Sequence, residues 1–189
     1  MNKLNYTEEI FNILSRGGFI SNNSVQAKIK RYYDAIEDYQ AEYDEYYQGI
    51  GFHLEAGDGY FFFSRKETKG DLQRKLEAVS KWIDYLTFLK TYNSTFGSGL
   101  VFSAADIVVR INCDMELKEL AGKLFSEKKS YDEIVDKLIG ELVRMGFIEQ
   151  QDEVEKNWKV LTSFHYMEEL IDCISITDDA DITGEEKEE

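Results

Sequence analysis

A chain of 189 residues with 43% apolar and 14% aromatic content carries enough large side chains for one large core or two small ones, which excludes wholesale disorder. Its formal charge of −15 repels phosphate, so nucleic acid can meet it only at a local basic patch or through a cationic partner. No run of about 18 apolar residues exists and the start MNKLNYTEEIF has neither the basic nor the apolar block of a signal peptide, so the chain reads as cytoplasmic, with no membrane contact. Cys113 and Cys173 lie far apart without a CxxC companion and are expected to be small core thiols rather than a disulfide or a zinc site.

Asn5 with Glu8 three residues on predicts a capping box for a helix over 6–16, stopped by Gly17-Gly18. Phe19-Ile20 then reads as a short buried connector, and a new helix starts within 24–29. Tyr32, Ile36, Tyr39, Tyr43, Tyr46 and Ile50 follow at spacings of 4, 3, 4, 3 and 4 with acids opposite, predicting one long amphipathic helix with a tyrosine seam. Phenol rings suit a core edge and a half-wet interface alike, so Tyr32, Tyr39, Tyr43 and Tyr46 are candidates for meeting a partner.

The period then changes to short apolar runs. Gly51–Glu55, a Gly57-Asp58-Gly59 turn and Tyr60–Ser64 predict a β-hairpin. Thr68 and Asp71 cap the next helix, where Leu72, Leu76, Val79, Ile83 and Leu86 are spaced 4, 3, 4 and 3 up to about Tyr92. Proline is absent throughout, which favours helices of this length.

The loop NSTFGSG over 93–99 marks a boundary. Beyond it Ser103 to Asp106 opens a helix, Glu116–Phe125 forms a shorter one, and the capping box Ser130 to Glu133 begins a third that Gly146 ends. A second hairpin uses Phe147–Gln150 and Trp158–Leu161, and a last helix covers 164–174. Both halves thus run helices, a Gly-Phe pair, an apolar hairpin and another helix, the outline of a winged helix-turn-helix unit. The expected fold is α+β and mainly helical, with an N-terminal unit and long connecting helix over 1–94, a C-terminal unit over 95–176 and a disordered acidic tail over 177–189.

Little here points to catalysis. His53 and His165 are the only histidines and nothing in the sequence pairs them, so no enzyme and no cofactor are expected. Asp179, Asp181, Thr183 and Gly184 hint at a calcium loop, but its bidentate position would fall beyond Glu189, so no metal is expected. Charge is more informative. Arg31 alone faces eight acids across 31–58, whereas 64–90 carries seven bases against four acids. Arg65, Lys66, Lys69, Arg74 and Lys75 leave the first hairpin and enter the next helix, where cations can contact a DNA backbone without reading sequence. Glu67, Asp71 and Glu77 nearby allow the alternative of locally paired surface charge.

The segments EIFNILSRGGFIS, YYQGIGFHLEAGDGYFFFSRKE and LVRMGFIEQQ resemble the MukE-like subunits of bacterial condensins, the MksE type in particular, over 5–176. That resemblance implies a tandem winged-helix homodimer, joined through its N-terminal unit, that binds the middle region of a kleisin of the MukF/MksF type. Through the kleisin it would reach an SMC-type ATPase and DNA, as a cytoplasmic, nucleoid-associated protein in chromosome segregation or plasmid exclusion. ATP hydrolysis would belong to the SMC partner. Two rivals stay open: a stand-alone winged-helix transcription regulator, for which the charge is unfavourable, and an adaptor without DNA contact.

Overall fold

A computed structural model describes residues 4–127, 130–152 and 154–182. The first half runs α1 (Thr7–Leu14), β1 (Ile20–Ser21), α2 (Ala27–Asp38), α3 (Gln40–Gln48), β2 (His53–Gly57) and β3 (Tyr60–Ser64). Helix α4 (Lys69–Tyr92) leads to β4 (Val101–Ser103), α5 (Ala104–Cys113), α6 (Met115–Leu124), α7 (Tyr131–Arg144), β5 (Ile148–Asp152), β6 (Asn157–Val160) and α8 (Phe164–Ile182). The protein is α+β and mainly helical.

Each half holds one antiparallel three-stranded sheet of the same plan, with order β1-β3-β2 in the first and β4-β6-β5 in the second. The hairpins follow the sequence expectation, with Glu55 opposite Phe62 and Gln150 opposite Trp158. The third strand of each sheet was not anticipated, because two or three residues are too few to display a period of two. The first hairpin turns on two glycines for different reasons. Gly59 adopts a φ of +80°, while a Cβ on Gly57 would lie 2.0 Å from Cζ of Tyr60. Asp44 on α3 accepts the Leu54 amide at 2.9 Å, which occupies a donor on the outer edge of β2.

The predicted tyrosine helix is two helices. The break falls at Tyr39, whose φ of −140° and ψ of 39° lie outside the helical region. This break resets the helical phase, so that Tyr33 and Ile36 and then Tyr43 and Tyr47 face inward rather than one continuous seam. The capping box at Asn5 does not form either. Tyr6 is the N-cap of α1 in a left-handed conformation without a side-chain bond, and the Asn5 carbonyl instead accepts the Tyr43 hydroxyl. The boxes at Thr68–Asp71 and Ser130–Glu133 are both present.

Two apolar clusters form. Ile10, Leu14, Ile36, Tyr43, Tyr47 and Phe61 centre the first. The second gathers Ile107, Ile111, Leu138, Leu142, Phe147 and Phe164, and it also takes Val79, Tyr85, Phe88 and Leu89 from α4. The connecting helix is therefore anchored in the C-terminal cluster, while Leu72, Leu76 and Ile83 of the predicted seam stay 48, 60 and 41% exposed. Both cysteines are exposed, contrary to the expectation of core thiols: Cys113 ends α5 beside the Asp114 cap of α6, outside the buried Ile107 and Ile111 face. Helix α8 continues to Ile182, so residues 177–182, expected in a disordered tail, are helical. Residues 183–189, and with them part of the calcium-like pattern, lie outside the described residues.

The halves are joined by the segment between β1 and α2. Asn23 accepts the Thr162 amide at 2.9 Å and donates to the Val160 carbonyl at 3.2 Å. Glu149 accepts from the Ser24 hydroxyl and the Val25 amide, both at 2.8 Å, and from the Gln26 amide side chain at 3.2 Å. Thr162 donates to the Gly59 carbonyl at 2.6 Å. These bonds tie polar groups that would otherwise be desolvated without partners, so the joint resists separation as well as sliding.

Candidate macromolecule-binding surfaces

Arg65 and Lys66 leave β3 in an extended segment that Thr68 closes by capping α4. Bonds from the Thr68 hydroxyl and amide hold the Asp71 carboxyl below its usual range. Of the five cations singled out by sequence, the structure divides three from two. Arg74 pairs with Asp71 at 3.0 Å and Lys75 with Glu67 at 3.1 Å. Burial draws the Lys75 ammonium down, but Tyr166 and Glu67 outweigh it and hold the group above its ordinary value. Arg65, Lys66 and Lys69 are exposed and make no ion pair among the described residues. Lys69 sits in the first turn of α4, where a cation opposes the helix dipole, so intrahelical electrostatics give no reason for its placement.

The four tyrosine candidates also divide. Tyr39 and Tyr46 are 40 and 54% exposed, Tyr32 is half-buried against the Tyr6 ring at 5.1 Å, and Tyr43 is buried in the first core. Tyr43 therefore offers no surface from this chain. Asp34, Asp38, Glu42 and Glu45 are exposed on the same two helices, so this face is acidic and aromatic. Of the four, Tyr39 and Tyr43 border a hollow of about 420 Å³ between the start of α1 and α2–α3, which none of the five candidate cations lines.

The sequence reading did not locate a cleft between the halves, of about 530 Å³, which Arg65 and Lys75 line. Its signal was the run Tyr60-Phe61-Phe62-Phe63. Consecutive aromatics on a strand face both sides of the sheet, and one core beside a sheet can absorb only half of them. Phe61 fills the core with Phe63 packed half-buried beside it, while Phe62 faces the other side of the sheet and remains half-buried.

The helix that precedes each hairpin bears on nucleic-acid reading. Helix α3 carries Glu42, Asp44 and Glu45 with no cation, and on α7 Lys137 pairs with Glu127 and Arg144 with Glu141. Neither helix presents a cationic face to a phosphate backbone. His53 lies 4.0 Å from Asp44 and His165 3.1 Å from Glu168. Among the described residues no group of three His, Cys, Asp or Glu side chains could hold a metal ion, and no helix is long and apolar enough to cross a membrane.

A family model described as condensin complex protein MksE matches residues 5–171, which takes in every element from α1 through β6 and the first eight residues of α8. The chain belongs to the MksE family. No curated protein matches it in sequence. The MksE match covers both sheets and the joint between them, so the repeated plan of the two halves lies within the family's extent.

Proposed function

We propose that the protein is a non-catalytic, cytoplasmic adaptor of an SMC-type condensin, built of two tandem winged-helix units and acting as a homodimer. It binds a kleisin subunit of the MukF/MksF type and, through it, joins an SMC-type ATPase in clamping DNA for chromosome organisation or plasmid exclusion. The family match over 5–171 carries this reading. The repeated helix-and-sheet plan supports the winged-helix assignment. Tyr39 and Tyr46 support a partner-facing surface on the first unit, since exposed phenol rings gain area on association at small entropic cost.

DNA contact falls to Lys66 and Lys69, which stand free of ion pairs among the described residues and do not line the cleft. Contacts of this kind neutralise phosphates without reading bases, which agrees with the acidic helices before both hairpins. The test is DNA capture by the reconstituted complex carrying Lys66→Glu and Lys69→Glu. Capture should weaken, and the slope of log affinity against log salt should shrink by about 0.9 for each lost phosphate contact, with kleisin binding retained. Unchanged capture and slope would remove these lysines from the DNA surface.

A further inference from the structure

The cleft between the halves differs chemically from the surface around it. Its floor is made of half-buried rings from three elements and one connector: Phe19 before β1, Phe62 on β3, Trp82 on α4 and Tyr166 on α8. Phe62 and Tyr166 stand 5.0 Å apart, Phe19 and Phe62 6.1 Å, and Trp82 and Tyr166 6.3 Å. The rings thus form a continuous apolar surface that remains open to solvent. The rim is cationic once its pairs are counted. Glu67 is taken by Lys75 and Asp71 by Arg74 and Thr68, which leaves Arg16 and Arg65 exposed and without an ion pair among the described residues.

An apolar floor beneath two unmatched arginines suits a ligand that is greasy along one side and negative along the other. Most of this chain is acidic and repels such a ligand, so the cleft is where it would concentrate. A duplex cannot enter a space of this size, and a single strand would need a row of unmatched cations along its path, where the rim offers only Arg16 and Arg65 among the described residues. We infer that the cleft binds an extended acidic segment of a partner protein, seating large apolar side chains on Phe62, Trp82 and Tyr166 and carboxylates on Arg16 and Arg65. This rests on the reading of the chain as an adaptor within a multiprotein complex.

The experiment places p-benzoylphenylalanine at Phe62 in the full-length tagged protein, irradiates native cells and identifies adducts by mass spectrometry. Val154, 91% exposed between β5 and β6, carries the same photoreactive group as a control position. The expected adduct at position 62 is a segment of the co-purifying partner rich in Asp and Glu, at least tenfold above position 154. Adding Arg16→Glu and Arg65→Glu, at exposed sites that leave the core intact, should cut that yield at least tenfold. If the partner co-purifies in full but position 62 gives no adduct, ignores the charge reversal, or captures nucleic acid or a second copy of this chain, the cleft assignment is overturned while the adaptor reading stands. If no partner co-purifies at either position, the adaptor reading fails and takes the cleft assignment with it.

Discussion

Tyr47 is wholly buried and donates its hydroxyl to the Thr7 carbonyl at 2.8 Å. Burial, with smaller contributions from Tyr43, Tyr46 and Glu9, pushes its phenol far above the ordinary value of 10.0; burial and Glu169 do the same for Tyr60. A phenol harder to ionise in the fold than in the unfolded chain stabilises fully below pH 10, and that contribution fades as pH rises from there toward the raised value. Stability should therefore fall above pH 10, and Tyr47→Phe should flatten that fall. The same substitution should cost about 1 kcal/mol at neutral pH, since it removes one buried hydrogen bond and keeps the ring. Urea titrations at several pH values check both; a pH slope identical in wild type and variant would contradict the account. Gly57→Ala drives a methyl into the buried Tyr60 ring and should cost about 1–3 kcal/mol. Gly17→Ala has open space around it and meets only the strain of a φ of +79°, about 1 kcal/mol. A smaller loss at Gly57 than at Gly17 would argue against this packing.

The capping boxes read at Thr68 and Ser130 form while the one read at Asn5 does not, and the two kinds separate in test. Ser130→Ala removes the acceptor of the Glu133 amide in a complete capping box and should lower stability by about 1 kcal/mol, whereas Asn5→Ala should carry no capping cost. Equal urea midpoints for the two variants would mean the box at Ser130 contributes nothing. The hairpins and the capped helices were readable because glycine turns and capping residues act locally. The tyrosine helix was misread because its 4-3-4 spacing continues across Tyr39, while tertiary packing of Tyr43 and Tyr47 under α1 favours a break there. The leucine seam of α4 failed in the same way: Tyr85, Phe88 and Leu89 win the C-terminal core and leave Leu72 and Leu76 outside. At the candidate sites, sequence found the exposed Arg65, Lys66 and Lys69, but pairing of Arg74 and Lys75 with nearby acids depends on side-chain geometry, and the cleft depends on residues more than a hundred positions apart.

Over the whole molecule, the two halves share a polar joint rather than a linker. Glu149 gathers Ser24, Val25 and Gln26, and Ser24 is fully buried. Glu149→Ala should cost about 2 kcal/mol, because it leaves a buried hydroxyl and an amide without their charged acceptor. Trp82 and Trp158 both pack on the C-terminal cluster, so their fluorescence follows that half while circular dichroism follows both; loss of coincidence between the two signals in the variant would mark the joint as what couples the halves, and an unchanged midpoint would show that the bonds are replaced by water. A firm joint suits the proposed role of an adaptor that holds partners at fixed separation. The measurement that bears most directly on that role is affinity purification of the tagged protein from its native cells, with mass spectrometry of whatever accompanies it. Recovery of a kleisin and an SMC-type ATPase in stable proportion is the expected result, and recovery of the protein alone would contradict the assignment of an adaptor acting within a condensin.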